Sequence, residues 1–243
     1  MIIPYLVKAG GGRILDLVKI RLSIVNAYLI RGDGGNVLVD TGVQETASSL
    51  VGQLGELGIG PGDLTLIVLT HAHTDHFGGM GAVKKVYPAP VAVQREDAPW
   101  LEKGINGPMK GQTAIGRFAA GRPRPVESDL GVMPEIIWDD ELDLRPYGVA
   151  GRLLHTPGHT AGSAAVVLDS GDILIGDMLM GRIPRHVPKT PFIADDMNVL
   201  VKSLTRLLAL KPTAIWPGHG GPFTPERVAA WISRYEKRMS KKS

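Results

Sequence analysis

The chain has 243 residues, of which 44% are hydrophobic and 21% charged, and this composition argues against intrinsic disorder and fibrous classes. Its formal net charge is +3. Residues 237–243 hold Lys237, Arg238, Lys241 and Lys242 with no acid, so taking away these four positive charges leaves −1 on the rest. The charge therefore does not indicate nucleic acid or an anionic membrane as a partner.

The chain contains no cysteine, which excludes disulfides, cysteine-ligated zinc and thiol nucleophiles and leaves histidine and carboxylates as metal ligands. No apolar run reaches the roughly 18 residues needed to span a bilayer, and residues 1–10 show no basic segment before an apolar run. We therefore expect a cytoplasmic protein that acts on a small molecule. At this length we also expect one domain over residues 1–243, and the sequence leaves a homodimer open.

The first half of the chain predicts strands followed by helices. Alternating apolar residues predict a β-hairpin within 15–40 that turns at residues 32–35, and helical spacing predicts a surface helix over 43–58. A buried strand is predicted at 64–70, and a histidine-rich segment begins where it ends. Shorter elements follow as a helix at 81–86, a strand at 91–93 and a helical turn at 98–103.

Residues 104–132 are rich in glycine and proline, which predicts a long loop or lid with little regular structure that faces the substrate. The second half again predicts strands followed by helices. The strands are predicted at 135–138, 151–154, 163–168, 172–175 and 213–216, and amphipathic helices at 195–210 and 225–237. Two such blocks are typical of stacked sheets with outer helices.

The segment 71–76 reads His-Ala-His-Thr-Asp-His and holds the residue types that bind first-row metals. His71 and His73 are two residues apart, so on extended backbone they project to the same side and can share one ion. Asp75 and His76 are adjacent and point differently, so they can reach a second ion. Because this spacing is rare by chance in a chain with seven histidines, we interpret the segment as part of a two-metal site.

The segment 70–79, Thr-His-Ala-His-Thr-Asp-His-Phe-Gly-Gly, resembles the signature of the metallo-β-lactamase superfamily. Further segments resemble the superfamily in the right order, at 26–30, 39–42, 156–163, 175–177 and 217–222. The resemblance covers nearly the whole chain. It implies an α/β fold of the four-layer αββα sandwich type.

The resemblance also implies a set of seven metal ligands. These are His71, His73 and His159 on the first ion, Asp75, His76 and His219 on the second, and Asp177 bridging both. Asp40 would hydrogen-bond near the histidine loop and orient the ligands, although it could instead be a turn residue in Asp-Thr-Gly. His155, which ends a strand, is expected to hydrogen-bond the backbone.

We expect two divalent ions, with zinc as the first assignment and iron or manganese also suitable. Such a pair implies hydrolysis of an ester, lactone, thioester or phosphoester by a hydroxide that bridges the metals. Asp75 is the candidate catalytic residue, because one of its oxygens stays free to pass a proton to the leaving group. The loop after Asp177 is irregular and partly basic. Four of its residues are expected to face the substrate, namely Met180, Arg182, Arg185 and His186.

Within the superfamily, a Gly-Asp pair at Asp177 and the absence of cysteine resemble the hydroxyacylglutathione hydrolase and lactonase branches. In the former branch an additional carboxy-terminal helical region binds glutathione, and because few residues follow His219 here we do not expect a glutathione thioester as the substrate. Many acyl-homoserine lactonases have tyrosine where Met180 stands. The alternative is a persulfide dioxygenase-like oxidoreductase with a single iron on His71, His159 and Asp177.

Overall fold

The computed structural model of the chain describes residues 2–8, 14–121 and 128–241. Seven of the described strands form one mixed sheet whose spatial order follows chain order. They are β1 (Ile2–Lys8), β2 (Ile14–Leu22), β3 (Val25–Arg31), β4 (Asn36–Val39), β5 (Leu64–Val68), β6 (Val91–Gln94) and β7 (Ile136–Trp138). Strands β1 to β4 are antiparallel neighbours, whereas β4 to β7 pair in parallel. The predicted hairpin is confirmed in β3 and β4, where the Gly32 N–H donates to the Gly35 carbonyl at 2.9 Å.

The other described strands form a five-stranded sheet and a two-stranded ribbon. They are β8 (Glu141–Asp143), β9 (Gly151–His155), β10 (Ala164–Leu168), β11 (Asp172–Gly176), β12 (Met180–Gly181), β13 (Pro188–Lys189) and β14 (Ala214–Pro217). The five-stranded sheet has the order β14-β11-β10-β9-β8, and only its β14–β11 pair is parallel among the described strands. Strands β12 and β13 form the ribbon.

Seven α-helices are described, and five of them lie on the outer faces of the two sheets. The seven are α1 (Ala47–Glu56), α2 (Thr74–Phe77), α3 (Met80–Val86), α4 (Ala98–Lys103), α5 (Ala114–Ala120), α6 (Met197–Ala209) and α7 (Pro225–Met239). Helices α1, α3 and α4 pack their apolar residues on the outer face of the seven-stranded sheet, while α6 and α7 cover the outer face of the five-stranded sheet.

Alternation along the strands assigns side chains to the layers. On β2, Leu17 packs between the sheets and Val18 packs toward α1. On β10, Val166 packs between the sheets and Val167 packs toward α6 and α7. The layers therefore run helices, sheet, sheet, helices, and the predicted four-layer αββα sandwich of the α/β class is confirmed.

The prediction of little regular structure over 104–132 is wrong in part, because α5 lies inside this segment. The Thr113 hydroxyl oxygen accepts the Gly116 N–H at 3.0 Å and so caps the first turn of the helix. Residues 122–127 of the predicted loop lie outside the described residues.

Five of the described strands are not predicted separately from the sequence, and one of them, β2, lies in the segment 15–40 that is predicted as a two-stranded hairpin. Three others, β8, β12 and β13, are only two or three residues long, too short for a periodic pattern to register. The fifth, β1, contains Pro4, which has no N–H to donate, and it lies at the edge of its sheet, where that loss is tolerated. No helix among the described residues has the length and apolarity to cross a bilayer. The single domain over 1–243 stays a prediction.

Candidate metal centre

The candidate ligands lie mostly at strand ends of the two sheets, at one edge of the sandwich. They are placed as His71 and His73 after β5, Asp75 and His76 in α2, His159 between β9 and β10, Asp177 after β11 and His219 after β14. The apolar strands hold the backbone in the core, so the polar residues that follow are presented at the rim. Residues far apart in sequence thereby meet in one place.

The seven side chains form two adjacent groups, each with its potential ligand atoms within 4.8 Å of one another. The first group is His71, His73 and His159, and the second is Asp75, His76, Asp177 and His219. Asp177 is central to the second group, because its two oxygens lie 3.4 Å from His76 Nε2 and 3.1 Å from His219 Nε2. The structure thus brings all seven predicted residues together, while a bridging role for Asp177 stays a prediction.

Hydrogen bonds on the outer side of the imidazoles orient their inner nitrogens. The Nδ1 atoms of His159 and His219 lie 2.8 Å from the carbonyls of Ile193 and Ile24 and donate to them. His76 Nδ1 donates to Asp40 Oδ2, also at 2.8 Å. These acceptors fix Nδ1 as the donor, and each ring directs Nε2 into the site, where it offers a lone pair once it is deprotonated.

These residues fit divalent metal ions. Among the described residues, no hydrogen bond of acceptable geometry reaches the buried Nε2 atoms of His71, His76 and His219 or Oδ1 of Asp177. Buried polar atoms normally have partners, and their clustering here is what a metal site requires. In the first group, His159 Nε2 faces His73 Nδ1 at 3.1 Å, a spacing that suits two nitrogens sharing one ion.

Opposite charges shift the pKa values of the second group. Burial alone would lower the pKa of His219, but Asp177 and Asp75 raise it to about 10. Burial would likewise raise the pKa of Asp177, yet His219 and His76 hold it well below its usual range. In the first group, burial and the neighbouring His73 lower the pKa of His159 to about 4. The second group therefore holds protons where cations would bind, so metal binding there should release protons.

A model of the metallo-beta-lactamase superfamily matches residues 20–219, which is most of the chain. The chain belongs to the metallo-β-lactamase superfamily. The probable metallo-hydrolase YflN of Bacillus subtilis is 24% identical to this superfamily member, over 98% of both chains. An N-acyl homoserine lactonase from a Bacillus species is 26% identical, over 81% of this chain and 77% of its own.

Solved structures of the superfamily share the fold. The metallo-beta-lactamase family protein TTHA1429 from Thermus thermophilus has a TM-score of 0.64 and 25% identity, covering 93% of this chain and 81% of its own. At the level of the family, the prediction of a metal-dependent hydrolase is confirmed by this membership and by relatives named as metallo-hydrolases.

Asp40 connects two parts of the metallo-β-lactamase site. Its Oδ1 accepts the Thr70 N–H, and its Oδ2 accepts the Thr70 hydroxyl and His76 Nδ1, all at 2.8 Å. Asp40 has a positive φ of 59°, a conformation that is uncommon outside glycine but is adopted more often by asparagine, aspartate and histidine than by other residues. The contact predicted for Asp40 with the histidine loop is therefore present, and its effect on ligand orientation stays a prediction.

We expect Asp40→Asn to lower metal affinity by about tenfold to a hundredfold, as is typical when the partner of a ligating histidine is lost. The carboxylate accepts three hydrogen bonds on two oxygens, whereas an amide offers one accepting oxygen and a donor in place of the other. Chelator competition would measure the affinity. Asp140→Asn, on an exposed residue, is the matched control and should bind metal like the parent. Equal affinity of the Asp40 variant would contradict the role.

Asp97 is a buried residue of the site that the sequence does not reveal. Its Oδ2 accepts the Ala72 N–H at 2.7 Å and the Thr160 hydroxyl at 2.9 Å, and its Oδ1 accepts the Gly162 N–H at 3.0 Å. One carboxylate thus joins the loop of His71 and His73 to the loop of His159. In the sequence Asp97 resembles only a residue that precedes a helix.

The loop at 217–222 that carries His219 is held by polar side chains of the seven-stranded sheet. Asn26 Nδ2 and the Tyr28 hydroxyl donate to the Pro217 carbonyl at 3.0 and 2.6 Å. Lys19 Nζ donates to the carbonyls of Gly220 and Gly221. A side chain at position 218 would place its Cβ 2.3 Å from Asp177 Oδ1, so this close approach requires glycine.

A cavity of about 580 Å³ opens over the ligands and contains His73, Asp75, His159, Asp177 and His219 in its wall. Of the four residues predicted to face the substrate, three line it, namely Met180, Arg182 and Arg185. The predicted lid segment also contributes, through Asn106, Met109 and Ala119.

The two histidines that are not candidate ligands, His155 and His186, lie outside this wall. His186 is exposed and is not among the residues lining the cavity, and its backbone carbonyl accepts from Arg227 Nη1 at 2.9 Å. His155 Nε2 lies 2.7 Å from the Ala161 carbonyl, so the predicted backbone hydrogen bond is present.

Proposed function

We propose that this protein is a binuclear metal-dependent hydrolase that attacks an ester, lactone, thioester or phosphoester. The observation that carries the proposal is the pair of adjacent ligand groups, each within 4.8 Å, that meet at one cavity. The similarity to a named N-acyl homoserine lactonase supports an ester-like bond as the target. Zinc is the first assignment, since imidazole and carboxylate ligands suit it, and iron or manganese would suit the same ligands.

In this proposal, His71, His73 and His159 hold one ion, Asp75, His76 and His219 hold the second, and Asp177 lies between them. Two bound divalent ions would lower the pKa of water toward neutrality and stabilise the charge that develops on the substrate oxygen. The outer hydrogen bonds from His76, His159 and His219 keep their rings in place as the ligands act.

Asp75 is the proposed proton carrier. Its side chain is 34% exposed, and it faces the cavity. Its Oδ2 contacts His219 Nε2 at 3.3 Å and His76 Nε2 at 3.8 Å, which leaves Oδ1 to take a proton from the attacking water and deliver it to the leaving group. The apolar side chains of Met180, Phe192 and Ile193 limit water around this step.

Metal analysis combined with a substrate panel tests the proposal. We expect two ions per chain, loss of turnover after chelation, and recovery on adding zinc, with hydrolysis of at least one of a lactone, an ester, a thioester and a phosphoester. A β-lactam included in the panel should not be hydrolysed. One iron per chain with oxygen uptake, and no hydrolysis of the panel, would overturn the proposal in favour of the dioxygenase-like alternative.

A further inference from the structure

The cavity wall beyond the candidate ligands combines apolar side chains with positive charge. Apart from the ligands Asp75 and Asp177, no described residue of the wall is acidic. The apolar wall consists of Ile24, Met109, Ala119, Met180, Ile183, Phe192 and Ile193. The two cationic residues are Arg182 and Arg185. Such a wall suits a ligand that is partly apolar and partly anionic.

Neither arginine is paired with an acidic residue in the part of the chain that the structure describes. Within the described residues, no carboxylate lies within 4.0 Å of the guanidinium of Arg182 or Arg185. The Arg182 guanidinium lies 4.7 Å from the centroid of the Phe192 ring, so the ring holds this cation against the cavity wall. An unpaired guanidinium has a planar array of donors that matches the oxygens of a carboxylate or phosphate.

The loop that carries both arginines is tied to the loop that carries His219. The Gly181 N–H donates to the His219 carbonyl at 2.7 Å, and the Gly221 N–H donates to the Arg185 carbonyl at 2.8 Å. A Cβ at position 220 would lie 2.1 Å from the Gly181 carbonyl oxygen, so the two segments approach closely. The arginines are therefore anchored through the backbone beside a candidate metal ligand.

A third cation lies behind this loop. Lys19 is buried and donates to the carbonyls of Gly220 and Gly221. Burial and the nearby guanidinium groups of Arg185 and Arg21 lower the pKa of Lys19 to about 8. Arg185 and Lys19 thus place positive charge at this end of the cavity, which an anionic group would complement.

We propose that the substrate carries an oxyanion, a carboxylate or a phosphate, separated from the scissile bond by an apolar portion, and that Arg182 and Arg185 bind this oxyanion. That the substrate has a scissile bond depends on the proposed hydrolytic function. The apolar portion contacts apolar residues of the same cavity wall, such as Ile24, Met109 and Phe192. The arginines act mainly on substrate affinity, because they are not part of the ligand groups.

Three matched esters of 4-nitrophenol test this assignment. One has an uncharged eight-carbon acyl chain, the second has the same length with a terminal carboxylate, and the third ends in a phosphonate. We expect kcat/KM for one or both anionic esters to exceed that for the neutral ester by about tenfold, mainly through KM, as expected for a charge-assisted contact. Which ester is preferred identifies the oxyanion. The preference should weaken as salt is added.

The double variant Arg182→Gln/Arg185→Gln should lose this preference. Arg234→Gln/Lys237→Gln removes the same charge from exposed residues of α7 and should keep it, which separates local binding from net charge. Equal kcat/KM for all three esters in the parent protein would overturn the proposal, and so would an unchanged preference in the arginine variant.

Binding to chelator-treated protein separates this proposal from the hydrolytic one. The probes are the 4-nitroanilides of the same three acyl chains, and calorimetry measures their dissociation constants. If no ester is hydrolysed but an anionic anilide binds about tenfold more tightly than the neutral one, and the arginine variant removes that difference, the oxyanion site stands and the hydrolytic proposal fails. Equal binding of all three anilides would overturn the oxyanion site.

Discussion

Replacing His71 with alanine is expected to reduce kcat/KM by at least about a thousandfold, because a metal centre typically supplies several kcal/mol of transition-state stabilisation. His71 is buried, and its Nε2 is directed into the group that also contains His73 and His159. Removing one of three nitrogens should release the ion of that group. Asp75→Ala should have a similar effect through the second group. Steady-state kinetics and metal analysis of the purified variants would measure both losses.

The fold should survive these substitutions, because the ligands lie beyond strand ends and the apolar layers do not depend on them. Circular dichroism would verify this. His186→Gln is the matched control, since this histidine is exposed and outside the cavity wall, and it should retain both ions. Full turnover by folded His71→Ala or Asp75→Ala protein would contradict the assignment of the metal centre.

Part of the ligand set can be predicted from residue spacing, and the rest through the resemblance of short segments to the superfamily. His71, His73 and Asp75 stand after a compact apolar run, and Asp177 directly follows another. Strand ends at the same edge of a sandwich meet in space, but local spacing indicates only the segment 71–76, and His159, Asp177 and His219 are assigned through the resemblance to the superfamily. The same periodicity identifies most strands and both long helices, α6 and α7, to within a few residues.

The supporting hydrogen bonds are harder to predict, because they depend on the path of the chain rather than on residue type. His159 and His219 are oriented by the backbone carbonyls of Ile193 and Ile24, which any residue could supply. For His186, in contrast, the sequence predicts a role in the site that the structure does not place there. It lies in the basic loop beside Arg185, yet its side chain is not part of the cavity wall, because neighbouring residues of a loop point in different directions.

Helix α5 is missed for a local reason. Its segment contains glycine and lies among further glycines and prolines, which favour a loop on composition alone. The cap at Thr113 is the signal that was available, since threonine before a helical run is a typical helix start. Ala119 of this helix lines the cavity, so the expected placement of the segment near the substrate agrees with the structure.

Asp97, which lies outside the ligand set, is expected to have a large effect on stability. Its partners Ala72, Thr160 and Gly162 are 25, 63 and 65 residues away, which explains why no local pattern reveals it. Burial raises the pKa of Asp97, while its three hydrogen bonds oppose that shift. We expect Asp97→Ala to lower the free energy of unfolding by about 3 kcal/mol, since it leaves buried donors without an acceptor. Urea unfolding of metal-free protein would measure the change.

The same variant, Asp97→Ala, should weaken the binding of only one of the two metal ions. Asp97 joins the loop of His71 and His73 to that of His159, so its loss should reduce the affinity of this group by about tenfold to a hundredfold. The group with His76 and His219 has separate supports in Asp40 and the Ile24 carbonyl and should bind its ion normally. Metal titration would then show one weakened and one unchanged step, with Asp140→Ala as the control. An equal loss at both steps would mean that Asp97 acts on general stability and not on the geometry of the first group.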